Sequence, residues 1–151
     1  MDQYDAAKAR RVWQRVQGQH TTTPGGPALQ ALMEEAWEDA KLFRELARRH
    51  KGQTAAQFQF LYRQTMEHLR ILKGVCALTE QCAPVFSQKP VPRETMSLAL
   101  RRSYNRALQR LSWYTAMEGD RNYGHILPPL IHQTRQHSRL LLQLMSRPGI
   151  K

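Results

Sequence analysis

Two histidines of this chain sit in the same local string. Gln64-Thr65-Met66-Glu67-His68-Leu69-Arg70-Ile71-Leu72 and Gln133-Thr134-Arg135-Gln136-His137-Ser138-Arg139-Leu140-Leu141 both read Gln-Thr-x-x-His-x-Arg-[Ile/Leu]-Leu, a repeat that points to two-fold pseudo-symmetry. Imidazole is the side chain that gains or loses charge near neutral pH, and it is a common ligand of transition metals. On a helix, residues three apart share a face, so each histidine lies on the same stripe as the threonine before it. Two chemistries follow. His68 and His137 either form a buried, neutral set, hydrogen-bonded to each other, to threonine, to Tyr104 or to water. Or they hold a single transition metal ion such as zinc or iron, completed by water or by a shifted Glu35, although two protein ligands are one short of the usual catalytic zinc set.

Other reactive side chains are less informative. Cys76 and Cys82 are six apart near the expected end of one helix, which is neither a Cys-x-x-Cys knuckle nor a disulfide framework, so they read as two small thiols. His125 and His132 fall on an outer stripe and read as solvated. Trp13, Trp37 and Trp113 read as core. No glycine-rich phosphate loop, Ser-His-Asp order or Cys-His nucleophile arrangement is present.

The elements that must position the histidines are helices, because every apolar stripe has a 3.6-residue period. A short amphipathic arm, residues 1–17, carries Val12, Trp13 and Val16 beside Lys8, Arg10, Arg11 and Arg15. Residues 18–27, rich in glycine, threonine and proline, form a linker. Residues 28–151 then make one bundle of four helices. The first, about Ala28 to His50, has Leu29, Leu32, Ala36, Ala40, Phe43 and Leu46 on one stripe. The second starts near Thr54, a candidate cap, and runs to about Gln81 with Leu61, Thr65, His68, Leu72 and Val75 inside. The third, about Arg93 to Met117, shows Leu100, Tyr104, Ala107, Leu111 and Tyr114. The fourth, about Tyr123 to Met145, shows Leu127, Leu130, Thr134, His137, Leu141 and Leu144. Two short connections make two hairpins, and the longer stretch Ala83 to Pro92, with three prolines, suits one crossover down the bundle.

At 151 residues and 41% hydrophobic content the chain can bury a core of its own. No apolar run approaches the roughly 18 residues of a membrane span, and the N-terminus lacks a secretory layout, so a cytoplasmic location is expected. The excess of 23 Lys+Arg over 12 Asp+Glu, a net +11, would attract polyanions non-specifically. Arg44, Arg48, Arg49, Arg101, Arg102, Arg106, Arg110, Arg135, Arg139 and Arg147 are spread over three helices rather than gathered in one arm, which reads as a solvated face. A basic helical binder of nucleic acid therefore stays an alternative of a different class. The arm needs a surface for its apolar side, on its own bundle or on a second subunit of a homodimer.

Over roughly residues 28–145 the chain resembles the rubrerythrin branch of the ferritin-like proteins. The resemblance rests on Ala28-Leu29-Gln30-Ala31-Leu32-Met33-Glu34-Glu35 with Trp37-Glu38-Asp39-Ala40, on His68 to Gly74, on Arg101-Arg102-Ser103-Tyr104, and on Tyr123-Gly124-His125 leading to His137. It implies an all-α, ferritin-like antiparallel four-helix bundle with one longer crossover. Such bundles hold two irons with a Glu-x-x-His turn on each of two helices and a single Glu on each of the others. Carried onto this chain, the histidine positions are His68 and His137, and the carboxylate positions are Ala36, Thr65, Ala107 and Thr134. No carboxylate remains among them, and Glu35 and Glu67, one residue away, are rotated by about 100°. The family's rubredoxin module, with its paired Cys-x-x-Cys loops, has no counterpart here. The resemblance thus implies a degenerate di-iron site, no cofactor, and a non-catalytic structural or interaction module. Its alternative is a non-haem metal oxidoreductase or metal-handling protein that uses His68 and His137.

Overall fold

A computed structural model describes residues 26–79 and 81–147 of the chain. Their regular elements are helices α1 (Gly26–Arg49), α2 (Gly52–Ala77), α3 (Met96–Ala116) and α4 (Leu127–Ser146), with one turn of 3-10 helix at Gly124–Ile126 leading into α4. No strand occurs among the described residues. The expected arm and most of the expected linker lie outside them, and α1 begins at Gly26, within the linker's expected end.

The apolar stripes bury as their spacing requires. Leu29, Leu32, Ala36, Ala40, Phe43 and Leu46 of α1 are all inside, as are the expected stripes of α2 and α4. On α3 the inner stripe differs: Tyr104 and Leu111 are only half-buried, and Ser103 and Arg110 are inside instead. The series 100, 103, 107, 110, 114 is a better 3.6-residue period, so packing geometry draws two polar side chains into the core.

Local chemistry sets where the helices stop. Gly52 opens α2 at φ +63°, the left-handed region that favours glycine, and lets the chain reverse after α1. Thr54 is not the cap expected. Lys51 occupies that position without a side-chain bond, and the Thr54 hydroxyl accepts from Arg147 at 2.7 Å. Thr95 caps α3, its hydroxyl accepting from the Leu98 N–H at 3.3 Å. Gly124 is required for space, since a Cβ there would lie 2.5 Å from the Glu118 carbonyl oxygen.

α2 ends at Ala77, four residues short of the expected Gln81, and Gln81 itself turns the chain at φ +62°. The early stop corrects the expectation of two thiols. Cys76 and Cys82 form a disulfide with Cα atoms 5.5 Å apart, whereas an unbroken helix would hold them about 9 Å apart and out of bonding range.

Beyond the disulfide the crossover is strapped along α1, one side chain per helical turn. Gln30 accepts from the Ala83 N–H at 3.2 Å and Glu34 from the Val85 N–H at 2.7 Å. Trp37 Nε1 donates to the Ser87 carbonyl at 2.7 Å, and Lys41 Nζ to the Ser87 and Lys89 carbonyls at 3.0 and 2.9 Å. Phe86 meets Trp37 edge-on at 5.7 Å and has Lys73 Nζ 5.1 Å from its ring.

α1 packs on α2 and α3 on α4, and the two hairpins meet through α1 with α3 and α2 with α4. The core falls into two apolar clusters. One joins Leu29–Ala36 of α1, Leu69–Cys76 of α2, Trp113–Met117 at the end of α3 and Leu127–Ile131 at the start of α4. The other joins Leu42–Leu46, Phe58 and Leu61, Ala99 and Leu100, and Leu141 and Leu144. Between them every helix contributes buried polar groups: Asp39, Thr65 and His68, Ser103 and Arg110, Thr134 and His137. No helix of the described residues is long and apolar enough to cross a membrane.

Candidate functional site

Of the six positions marked in the sequence, Thr65, His68, Thr134 and His137 belong to the polar layer, whereas Ala36 packs in the first apolar cluster. Ala36, Thr65, His68, Ala107, Thr134 and His137 are each buried. Their immediate neighbours decide what the layer can do.

On the α2–α4 side the two imidazoles stack, with ring centroids 5.4 Å apart and planes 17° from parallel. Each is bonded to the repeat on the other helix. His68 Nε2 meets Gln133 Oε1 at 2.6 Å, and His137 Nε2 meets Gln64 Oε1 in a short contact. The crossing of these bonds means that the two strings run in opposite directions past each other, so the pseudo-symmetry of the sequence is a local two-fold in space. An amide oxygen can only accept, so each Nε2 carries the proton and donates. The threonines are satisfied elsewhere: Thr65 and Thr134 donate to the carbonyls of Leu61 and Leu130, one turn back, each at 2.7 Å. The histidines are therefore bonded to glutamine rather than to threonine, Tyr104 or each other. Burial pushes the His68 pKa down to about 4, against the pull of its Gln133 bond, and that of His137 down to about 3, helped by His68 and Arg110. Both rings are neutral at pH 7.

On the α1–α3 side the groups are charged. Asp39 is fully buried and accepts from two guanidiniums: Arg106 at Oδ1, through Nε at 2.7 Å and a terminal nitrogen at 2.6 Å, and Arg110 at Oδ2, at 2.8 Å. Arg110 is itself buried and Arg106 largely so, which removes both from the solvated face expected for the arginines. One turn before Asp39, Glu35 has its carboxyl pKa raised by desolvation, with Arg110 and Arg106 opposing, and its Oε2 is buried without a partner. Tyr114 stands edge-on to His68 at 6.5 Å. Its hydroxyl is buried and unpartnered, and burial lifts its pKa to about 12.

The donor set does not fit a di-iron centre. Two irons need anionic oxygen ligands, and the marked positions offer two methyl groups, two hydroxyls turned to their own helices, and two imidazoles whose Nε2 protons point at amides. Among the described residues no group of three or more His, Cys, Asp or Glu is placed to hold a metal ion. Glu67 faces solvent and is bonded to Arg70, and His125 and His132 are exposed, as their stripes require. Sequence reasoning missed Asp39, Arg106 and Arg110 as layer members and missed the role of Gln64 and Gln133, although both glutamines lead the repeated string. Comparison with protein-family models, with curated proteins and with solved structures finds no match for this chain.

Proposed function

We propose that the chain is a ferritin-like antiparallel bundle of the rubrerythrin branch in which the metal layer has been replaced by hydrogen bonds and a buried ion-pair cluster, and that it serves as a non-catalytic structural or interaction module. The observation that carries this reading is the crossed pairing of His68 with Gln133 and His137 with Gln64. A ligand histidine must direct a lone pair at its metal, and second-shell groups hold it that way. Here Nε2 of each ring is held as N–H, so only Nδ1 keeps a lone pair, and no carboxylate stands at Ala36, Thr65, Ala107 or Thr134 to join it on a metal. The neighbour relations support the same reading, since each hairpin meets the other through equivalent helices and one strapped crossover joins them. Arg110 then supplies positive charge in the layer where the family keeps its cations.

The test is to restore the carboxylates together, Ala36→Glu, Thr65→Glu, Ala107→Glu and Thr134→Glu. Four buried carboxylates without cations are costly, so this variant should melt well below the parent when metal-free and regain stability with ferrous or manganous ions. The parent should gain much less from the same ions. A variant as stable as the parent without metal would place these positions outside a common layer. Stoichiometric zinc or iron retained by the purified parent, with a melting temperature that falls on chelation, would favour a metal-handling protein built on His68 and His137.

A further inference from the structure

A cavity of about 250 Å³ lies at the opposite end of the bundle from the disulfide, where the end of α1 meets the end of the crossover and the start of α3. Apolar side chains, Leu42 and Leu46 of α1, Val91 and Pro92, and Met96 and Ala99 of α3, share its lining with Arg49, His50, Glu94 and Thr95. The charged groups at its rim are already neutralised. Arg49 donates to Glu45 at 3.1 Å, and Glu94 faces Arg102 at 3.4 Å. One polar group is set up for a visitor. His50 Nδ1 donates to the Leu46 carbonyl at 2.8 Å, and Phe58 holds the ring at 5.5 Å, which leaves Nε2 as the ring nitrogen for a ligand to meet.

We propose that this cavity is a binding site for a small neutral aromatic molecule carrying one hydroxyl or ring N–H. The volume sets the size: an apolar cavity of about 150 Å³ accepts benzene, so this one has room for one or two fused rings. The paired rim charges disfavour an ion, whose desolvation nothing would offset. Apolar side chains beside one anchored imidazole match an apolar body with one donor, and Met96 gives a polarisable, adaptable surface for a ring. This site shares no residue with the polar layer, so it stands or falls separately from the reading above.

The experiment uses the full chain, with indole and N-methylindole as probes and the methyl resonances of Met96 and Val91 as reporters. Indole should bind saturably and about tenfold more tightly than N-methylindole, which lacks the donor. His50→Phe should bring indole to the affinity of N-methylindole and leave N-methylindole unchanged. Val91→Trp, which fills the mouth from the crossover, should abolish both, and Met96→Trp fills it from the other wall should the first variant melt below the parent. Absence of saturable shifts, equal affinities for the two probes, or undiminished binding in the filled variants would each overturn the proposal.

Discussion

The α2–α4 side of the polar layer is neutral and symmetric, each histidine donating to the glutamine of the other repeat, whereas the α1–α3 side is charged and asymmetric, one carboxylate holding two guanidiniums. Both sides bury polar atoms between two apolar clusters, and both leave most of them bonded. The difference lies in what happens when a partner is lost. A neutral donor left alone forfeits a hydrogen bond, while a buried ion left alone keeps the whole desolvation cost of its charge. The charged half is thus the more brittle, although it is not for that reason the more stabilising.

Asp39→Asn should break the comparison most sharply. It leaves Arg110 buried without its counter-ion, and a loss of about 3–5 kcal/mol in denaturant unfolding is expected. Arg106→Gln removes the more exposed of the two guanidiniums and should cost distinctly less. A small loss in Asp39→Asn would mean that water reaches the cluster and that the two halves do not differ in kind.

The neutral half predicts a pH dependence. Both histidines have folded pKa values near 4 and 3, below the unfolded value near 6.5, so between these limits the unfolded chain binds more protons than the folded one. Stability is then full above about pH 6.5 and falls as the pH is lowered toward 4, by up to about 1.4 kcal/mol per pH unit for each histidine. Glu35 acts in the opposite sense, because its carboxyl pKa is raised. Urea unfolding in a Glu35→Gln background, with and without His68→Gln and His137→Gln, isolates the imidazoles. An equally steep decline in the histidine-free variant would mean that the rings are not held neutral.

How much of this could be read from residue order varies with the range of the interaction. The apolar stripes of α1, α2 and α4 recur at fixed local spacing, and their members are buried as the period requires. The histidines were visible for the same reason. Their glutamine partners lie 65 and 73 residues away in the chain, so the pairing depends on helix register that no local pattern encodes. Arg110 was one arginine among many, and what distinguishes it is Asp39 across a helix interface. The disulfide was missed because apolar periodicity continued past Ala77 while the backbone did not.

The local two-fold can be sharpened by breaking its bonds one at a time. Gln133→Leu leaves the His68 N–H unsatisfied and Gln64→Leu does the same to His137, each at a cost of about 1–3 kcal/mol. If the repeat is a functional symmetry of packing, the two losses should agree within about 0.5 kcal/mol. The double variant tests the stacked rings as well, since two independent bonds give additive losses and coupled ones do not. A large loss from one glutamine and none from the other would reduce the symmetry to a coincidence of sequence.

The smallest effect concerns a buried, unpartnered hydroxyl beside the neutral half. Tyr114 stands edge-on to His68 and close enough to Arg110 to feel its charge, and its fully buried hydroxyl has no hydrogen-bond partner. A hydroxyl desolvated without a bond lowers stability, whereas its ring contributes ordinary apolar packing. Tyr114→Phe keeps the ring and removes the unpaired atom, so it should leave the protein as stable as the parent or more stable by up to about 1 kcal/mol. The same substitution should lower the His68 pKa little, because desolvation rather than the phenol is its main cause. Thermal unfolding of this variant checks the first point and titration of His68 by NMR the second. A loss above 1 kcal/mol would show that the hydroxyl is bonded through ordered water, which would join the neutral and charged halves into a single network and make their separate costs non-additive.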